Sequence, residues 1–254
     1  MKKCVFIGAR QIGERCLDIV ADLHIKSNLE LALIVTSGSK RLNFDNIYAS
    51  AKSAALQIPV LYTKSNDPVC IAAVENIKPD IVFHVGGTGI VTPEILKFGV
   101  TNLHPSLLPK YRGRYSNVWA IFNGEKEHGV TLHWMDGGID TGPIIAQERY
   151  EIEEKDTAGD LWQRFEIMGT SLFQKYLEEW ITLPSNTRQG TMPQDEALAY
   201  KCPKGLPNGG EIDWSWDGAK ILRFIRAMTH PDYPPVGFST GNTAWMVVCR
   251  GTPK

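Results

Sequence analysis

The chain has 254 residues, with 27 basic and 28 acidic side chains for a formal net charge of -1, 43% hydrophobic and 22% charged residues. That balance is ordinary for a globular protein and lacks the basic excess that neutralises phosphates, so no nucleic-acid partner is expected. Five cysteines, Cys4, Cys16, Cys70, Cys202 and Cys249, show no Cys-x-x-Cys spacing, which argues against a disulfide framework or zinc ribbon. No apolar stretch approaches the ~20 residues of a membrane span, and the apolar run after Lys2-Lys3 is cut short at Gly8-Ala9-Arg10, so the expectation is a cytoplasmic, reduced protein with no membrane partner.

In chain order, Lys3–Ile7 reads as a buried strand and Gln11–Asp22 as a helix with Ile12, Cys16, Ile19 and Val20 on one face. Glu30–Thr36 is a second strand, Asp45–Leu56 a second helix and Pro59–Tyr62 a short strand. Asp67–Ile77 is a third helix, capped by Asp67 with Pro68 in its first turn, and Asp80–Val85 a further apolar strand. Such alternation predicts parallel strands with crossover helices, an α/β doubly wound sheet. Val100–His104 is the next strand and Ser116–Phe122 a helix. Val130–Met135 and Ile144–Tyr150 are strands flanking a glycine-rich loop.

Thr157-x-x-Asp160 resembles a capping box opening a long helix, along which Leu161, Phe165, Met168, Leu172, Tyr176 and Trp180 recur at core spacing. A polar connector runs from Leu183 to Gly205. Ala219–Met228 is a short helix, and Gly237–Val248 a hairpin turning at Gly241-Asn242. The expected division is a doubly wound domain over 1–183 and a connector with a small helix-plus-hairpin subdomain over 184–254.

The first glycine loop, Gly8-Ala9-Arg10-Gln11-Ile12-Gly13, places Arg10 where a dinucleotide fingerprint needs glycine, and Thr36-Ser37 stand where that fold wants an acidic residue for ribose. A nicotinamide dehydrogenase is therefore disfavoured, although an anion could still meet this helix N-terminus. No phosphate-binding Walker loop or His-Glu-x-x-His motif occurs, and no metal is expected.

The chemistry-bearing stretch is Asn102-Leu103-His104-Pro105-Ser106-Leu107-Leu108-Pro109-Lys110-Tyr111-Arg112-Gly113. Asn102 and His104 are two apart on a strand, so they share a face, at the carboxyl end where open α/β sheets bind ligands. An amide beside an imidazole can donate to a carbonyl oxygen that becomes an oxyanion. Met135-Asp136-Gly137-Gly138-Ile139-Asp140-Thr141-Gly142 adds a carboxylate that can orient a histidine. Alone, His104 reads as structural and Asp140 as a turn former; the combination is what points to catalysis.

These two motifs together resemble the 10-formyltetrahydrofolate-dependent formyltransferase family, over most of the chain from Lys3 to about Val248. The resemblance implies a Rossmann-like domain in which an amine attacks the formyl carbon of 10-formyltetrahydrofolate. Asn102 and protonated His104 would stabilise the oxyanion, and Asp140 would hold His104 and help remove the amine proton. It also implies a donor site at Gly86, Gly87, Thr88, Gly89, Ile90 and Val91, and at Met135, Asp136, Gly138 and Asp140. Arg10, Ser106, Tyr111 and Arg112 would contact the acceptor.

From Pro184 onward eight basic and six acidic residues give no convincing tRNA platform. Gly210-Glu211-Ile212-Asp213-Trp214 and Arg223-Phe224-Ile225-Arg226 resemble the short tail of sugar N-formyltransferases, implying a nucleotide-linked amino sugar of lipopolysaccharide or O-antigen biosynthesis as acceptor. Arg223 and Arg226 share a helical face that is either solvated or able to meet a diphosphate. Trp214 and Trp216 either stack on a base or anchor the tail. The hairpin could pair across a homodimer. The alternatives are formylation of methionyl-tRNA or another small amine, a folate-dependent hydrolase, and a folate-binding module without catalysis.

Overall fold

The computed structural model describes residues 1–26, 28–36, 43–87, 89–184, 191–230, 236–240 and 243–247, with 43–47 and the last two ranges as backbone only. A seven-stranded sheet contains β1 (Lys2–Gly8), β2 (Leu29–Thr36), β3 (Val60–Tyr62), β4 (Ile81–Val85), β5 (Val100–His104), β6 (Glu127–Trp134) and β7 (Ile144–Glu151) in the order β3-β2-β1-β4-β5-β6-β7. Pairing is parallel from β3 to β5 and antiparallel between β5 and β6. The chain winds outward from β1 to β3 and then jumps back to β4, so the strand order reverses between β1 and β4. This is the expected α/β doubly wound sheet, with its switch point beside the strand that carries the candidate residues.

The crossover helices are α1 (Arg10–Ile25), α2 (Asn43–Leu56), α3 (Pro68–Ile77) and α4 (Pro93–Leu96); α5 (Ser116–Asn123), α6 (Ala158–Thr182) and α7 (Gly218–Met228) follow. Their starts obey local chemistry. Asp67 Oδ1 accepts from Val69 N at 2.9 Å with Pro68 in the first turn of α3. Thr157 Oγ1 accepts from Asp160 N at 3.2 Å, while Asp160 Oδ2 accepts from Thr157 N at 2.9 Å, a reciprocal capping box. None of the described helices is long and apolar enough to cross a membrane.

The chain forms two compact units that interleave in sequence. The first takes residues 1–104, 131–147 and 166–194, and the second 105–130, 148–165 and 195–254. In the first unit one sheet face buries Val5, Ile7, Val35, Val82 and Val100 against Cys70, Val74 and Ile95. On the other, Phe83 meets Phe173 and Trp180 of α6 edge-on, with ring centroids 5.2 and 6.0 Å apart. The α6 stripe is core as its spacing predicts, with Met168 half-buried.

The second unit differs from the sequential division expected at 183/184. Residues 105–130 join the tail because α5 packs on α7: Val118 and Ile121 share a core with Phe224, Ala227, Met228 and Ile212. Trp216 stacks between Phe122 and Phe224 at 5.4 and 5.3 Å, so it anchors the tail, whereas Trp214 is exposed. The described part of the connector, 191–205, makes regular contacts that its composition does not suggest. Met192 and Ile144 exchange backbone hydrogen bonds of 2.9 and 2.8 Å, and residues 196–198 form a 3-10 turn. A terminal hairpin is formed by β8 (Val236–Thr240) and β9 (Thr243–Val247), with Gly241-Asn242 outside the described residues.

Phe224 is fully buried at the centre of the second unit. Truncating it to alanine deletes most of an aromatic side chain from that core, and urea unfolding of Phe224→Ala is expected to show a loss of about 3–5 kcal/mol.

Candidate active site

Asn102 and His104 occupy the last turns of the β5 pleat and so face one side of the sheet. The register sets Asn102 opposite His84 of β4 and His133 of β6, which makes a cross-strand row His84–Asn102–His133 on that face. His104 is 4% exposed and His133 1% exposed, their rings meeting edge-on with centroids 6.4 Å apart. Asp140 reaches both: its Oδ2 lies 3.5 Å from His104 Nδ1 and its Oδ1 3.7 Å from His133 Nε2. The three residues that sequence spacing singled out, Asn102, His104 and Asp140, thus lie in one unit around a shared buried cluster.

His133 was not among the residues picked from the sequence. Its only local signal is the two-residue period of Val130–Met135, which cannot say which strand lies beside it. In the structure its Nδ1 is 2.9 Å from the Trp134 carbonyl, and a carbonyl can only accept, so Nδ1 carries the proton. The Nε2 lone pair then accepts from Asn102 Nδ2 at 3.1 Å, which fixes which way the Asn102 amide faces. Burial holds the imidazole down at about 4, outweighing the upward pull of Asp140, with His104 adding to the depression.

Asp140 is presented by a loop that is tied at both ends. Trp134 N donates to Pro143 O at 2.9 Å, and Gly142 lies so close to the backbone that a Cβ there would stand 1.9 Å from Trp134 O. Asp136 Oδ1 accepts from Gly138 N at 2.9 Å and from Thr141 Oγ1 at 2.6 Å, closing the turn from inside. Gln194 Nε2 donates to the carbonyls of Asp140 and Gly142 at 2.9 and 2.7 Å. These ties hold Asp140 at φ 54, a backbone region that non-glycine residues seldom adopt. Gln194 was missed from the sequence because it sits in the polar connector, where composition carries no sign of a partner 54 residues away.

The second glycine loop follows β4. Gly86 bridges to Gly8, and a Cβ on Gly86 would meet Ala9 O at 2.5 Å, so backbone packs on backbone beside the switch point. Gly87 lies over His84, Ile90 is exposed and Val91 is buried in the core; Thr88 lies outside the described residues.

Of the acceptor candidates, Arg10 is exposed at the start of α1 with φ 66. The other three belong to the second unit and make contacts inside it. Ser106 is fully buried and donates to Lys110 O at 2.7 Å. Tyr111 is 4% exposed; its hydroxyl donates to Glu125 at 2.8 Å and accepts from Asn123 at 3.1 Å. Arg112 makes a two-pronged pair with Glu196 at 2.9 and 2.6 Å. The tail arginines likewise bind carbonyls: Arg223 Nε to Phe122 O at 3.4 Å, and Arg226 Nη1 to Asp156 O at 2.7 Å. Among the described residues no group of three or more His, Cys, Asp or Glu could hold a metal ion.

Chemically, the cluster offers an amide N–H and an imidazole on one face at a strand end, with a carboxylate beside the imidazole. The buried neutral His133 has a consequence for pH. An unfolded histidine takes up its proton near pH 6.5, and the folded one only near about 4. Between those values the unfolded chain binds more protons, so the stability owed to His133 is complete above about pH 6.5 and falls as pH drops towards about 4. An NMR titration is expected to show the His133 ring in the neutral Nδ1–H form at pH 6, and His133→Gln is expected to flatten the acid limb of stability against pH.

Residues 12–177 match the formyl transferase family. Over 163 residues the chain is 42% identical to the GDP-perosamine N-formyltransferase of Brucella melitensis biotype 1, a match that covers 63% of this chain and 61% of that protein's length. It is 32% identical over 232 residues to the methionyl-tRNA formyltransferase of Alkaliphilus oremlandii, covering 88% of this chain and 72% of the relative. The crystal structure of the N-formyltransferase from Helicobacter canadensis, in complex with folinic acid and dTDP-3-aminofucose, superposes with a TM-score of 0.71 at 25% identity, over 95% of this chain and 84% of that one. A sugar N-formyltransferase from a Shewanella species has the same fold, with a TM-score of 0.75 at 16% identity over 100% and 99% of the two chains. With the match to the family spanning well over half its length, this chain belongs to the formyl transferases.

Proposed function

We propose that the protein transfers the formyl group of 10-formyltetrahydrofolate to the primary amine of a nucleotide-linked amino deoxysugar, giving the N-formyl sugar. The observation that carries this reading is the buried His104–Asp140 pair at 3.5 Å, set one pleat beyond an amide whose orientation is fixed. The relatives named for sugar N-formylation, and the neighbour seen with a folate and a nucleotide amino sugar, support the donor and the acceptor class.

In this mechanism the amine lone pair attacks the formyl carbon, a C–N bond forms, and the carbonyl oxygen takes up negative charge. Asn102 Nδ2 and protonated His104 donate to that oxygen. Asp140 stabilises the charged imidazole and receives the amine proton, directly or through water; the oxyanion then collapses back to a carbonyl, the bond from the formyl carbon to the donor nitrogen breaks, and that nitrogen takes up the proton to leave as tetrahydrofolate. The donor's ring system is assigned to the backbone of Gly86–Val91 and to Met135, Asp136, Gly138 and Asp140.

Arg10 and the Ser106–Arg112 loop are assigned to the acceptor, with Ser106, Tyr111 and Arg112 acting through the shape of that loop. The tail from 195 onward serves a supporting role within the second unit, and its hairpin is a candidate edge for a homodimer. The product would enter surface-glycan assembly of the O-antigen kind, and the enzyme is assigned to the cytoplasm.

Purified protein incubated with 10-formyltetrahydrofolate and a panel of nucleotide-linked 3-amino and 4-amino sugars is expected to add one formyl group to one sugar, read as a mass gain. His104→Ala and Asp140→Asn are each expected to lower kcat by ~10²–10³. Formylation of methionyl-tRNA with no sugar accepted would replace the acceptor and keep the chemistry. Donor binding without transfer to any amine would indicate a non-catalytic folate-binding module.

A further inference from the structure

Asn102 sits in the middle of the row His84–Asn102–His133, and the two flanks of that row are unequal. Residues paired across adjacent strands on one face carry Cβ atoms about 5 Å apart, close enough for their side chains to meet. On the β6 flank the account closes: Trp134 O takes the His133 Nδ1 proton, and His133 Nε2 takes an Asn102 proton. On the β4 flank it does not. His84 is 6% exposed, and neither of its ring nitrogens makes a hydrogen bond of good geometry among the described residues, although Asn102 lies near enough to act on the ring. Gly87 roofs the ring, since a Cβ there would stand 2.9 Å from Nε2. An imidazole with two idle nitrogens is costly at a position that an aliphatic side chain could fill, as Val82 does two residues earlier on the same face.

The amide of Asn102 has two N–H donors and one carbonyl acceptor. One donor is committed to His133, and the other must face the formyl oxygen if Asn102 is to stabilise it. That leaves Oδ1, which on a flip of the amide would turn a negative oxygen towards the developing oxyanion.

Resting on the formyl-transfer reading, we propose that His84 is a positioning residue for Asn102, donating a ring N–H to Asn102 Oδ1 so that the amide is held at both ends with its second N–H aimed at the formyl oxygen. Burial favours the neutral ring despite the opposing pull of Asn102 and Asp140, and a neutral ring has one proton to donate. Because it acts through the Asn102 amide, its effect belongs in kcat.

The test is a double-mutant cycle in the formyl-transfer assay, with a spectroscopic arm that does not depend on activity. His84→Leu is expected to lower kcat by about 3–10-fold with KM for the donor unchanged, the size of one lost orienting hydrogen bond. His84→Gln, which keeps an N–H, is expected to recover most of that loss. In the Asn102→Ala background His84→Leu is expected to cost nothing further, because its action passes through Asn102. An additive loss in the double variant, or equal losses for Gln and Leu, would overturn the proposal. In protein labelled with 15N-histidine, the His84 ring is expected to show a single N–H tautomer whose signals shift on Asn102→Ala. A ring indifferent to Asn102 would also overturn the proposal. A coupled ring in a chain that transfers no formyl group would uphold the contact and reject only the formyl-transfer reading.

Discussion

Everything at the carboxyl end of β5 follows from one constraint: several polar side chains are buried there, and each must find its partner among the others. A buried amide or imidazole without a partner costs on the order of 1–3 kcal/mol, more if charged. His133 meets the constraint by remaining neutral, giving its proton to a backbone carbonyl and its lone pair to Asn102. Asp140 lies within reach of both rings, its Oδ2 near His104 and its Oδ1 near His133. His133 is held neutral by burial, and Asp140 Oδ2 lies 3.5 Å from His104 Nδ1. The two histidines thus meet the one carboxylate differently: His133 gives its Nδ1 proton to the Trp134 carbonyl, while His104 turns its Nδ1 towards Asp140.

That arrangement needs Asp140 in a fixed place, and the fold fixes it with ordinary turn chemistry. Asp136 closes the turn, Gly142 allows the chain to return against Trp134, and Gln194 clasps two carbonyls from outside. Asp136 is thus engaged through Oδ1 in building the loop as well as being a candidate for the donor. The cost of φ 54 at Asp140 is borne by these four ties, none of which is a catalytic group.

How far the sequence revealed this depended on distance along the chain. The strands and helices were legible because their signals are local: the period of the apolar residues, Asp67-Pro68 at a helix start, Thr157 with Asp160 at another. Strand β5 was read with its observed bounds, Val100–His104. Asn102 and His104 were legible for the same reason, being two apart on one strand before a proline. His84, His133 and Gln194 were not, because their significance comes only from register and from a docked connector, and neither leaves a mark in a window of ten residues. The tail arginines show the converse: Arg223 and Arg226 share a helical face as their spacing says, but spacing could not show that the carbonyls of Phe122 and Asp156 would occupy them.

The two-unit organisation explains why the motif after β5 reads as one stretch but serves two purposes. Asn102 and His104 belong to the first unit, while Pro105 onward belongs to the second. In the second unit Ser106 ties the loop to Lys110, Tyr111 is pinned by Glu125 and Asn123, and Arg112 is clasped by Glu196 of the tail. The side chains of this loop that looked most suited to gripping an acceptor make hydrogen bonds that tie them to neighbours within their own unit. On the proposed reading, then, the loop would bear on the acceptor by the course of its backbone, a task separate from the chemistry proposed for Asn102, His104 and Asp140.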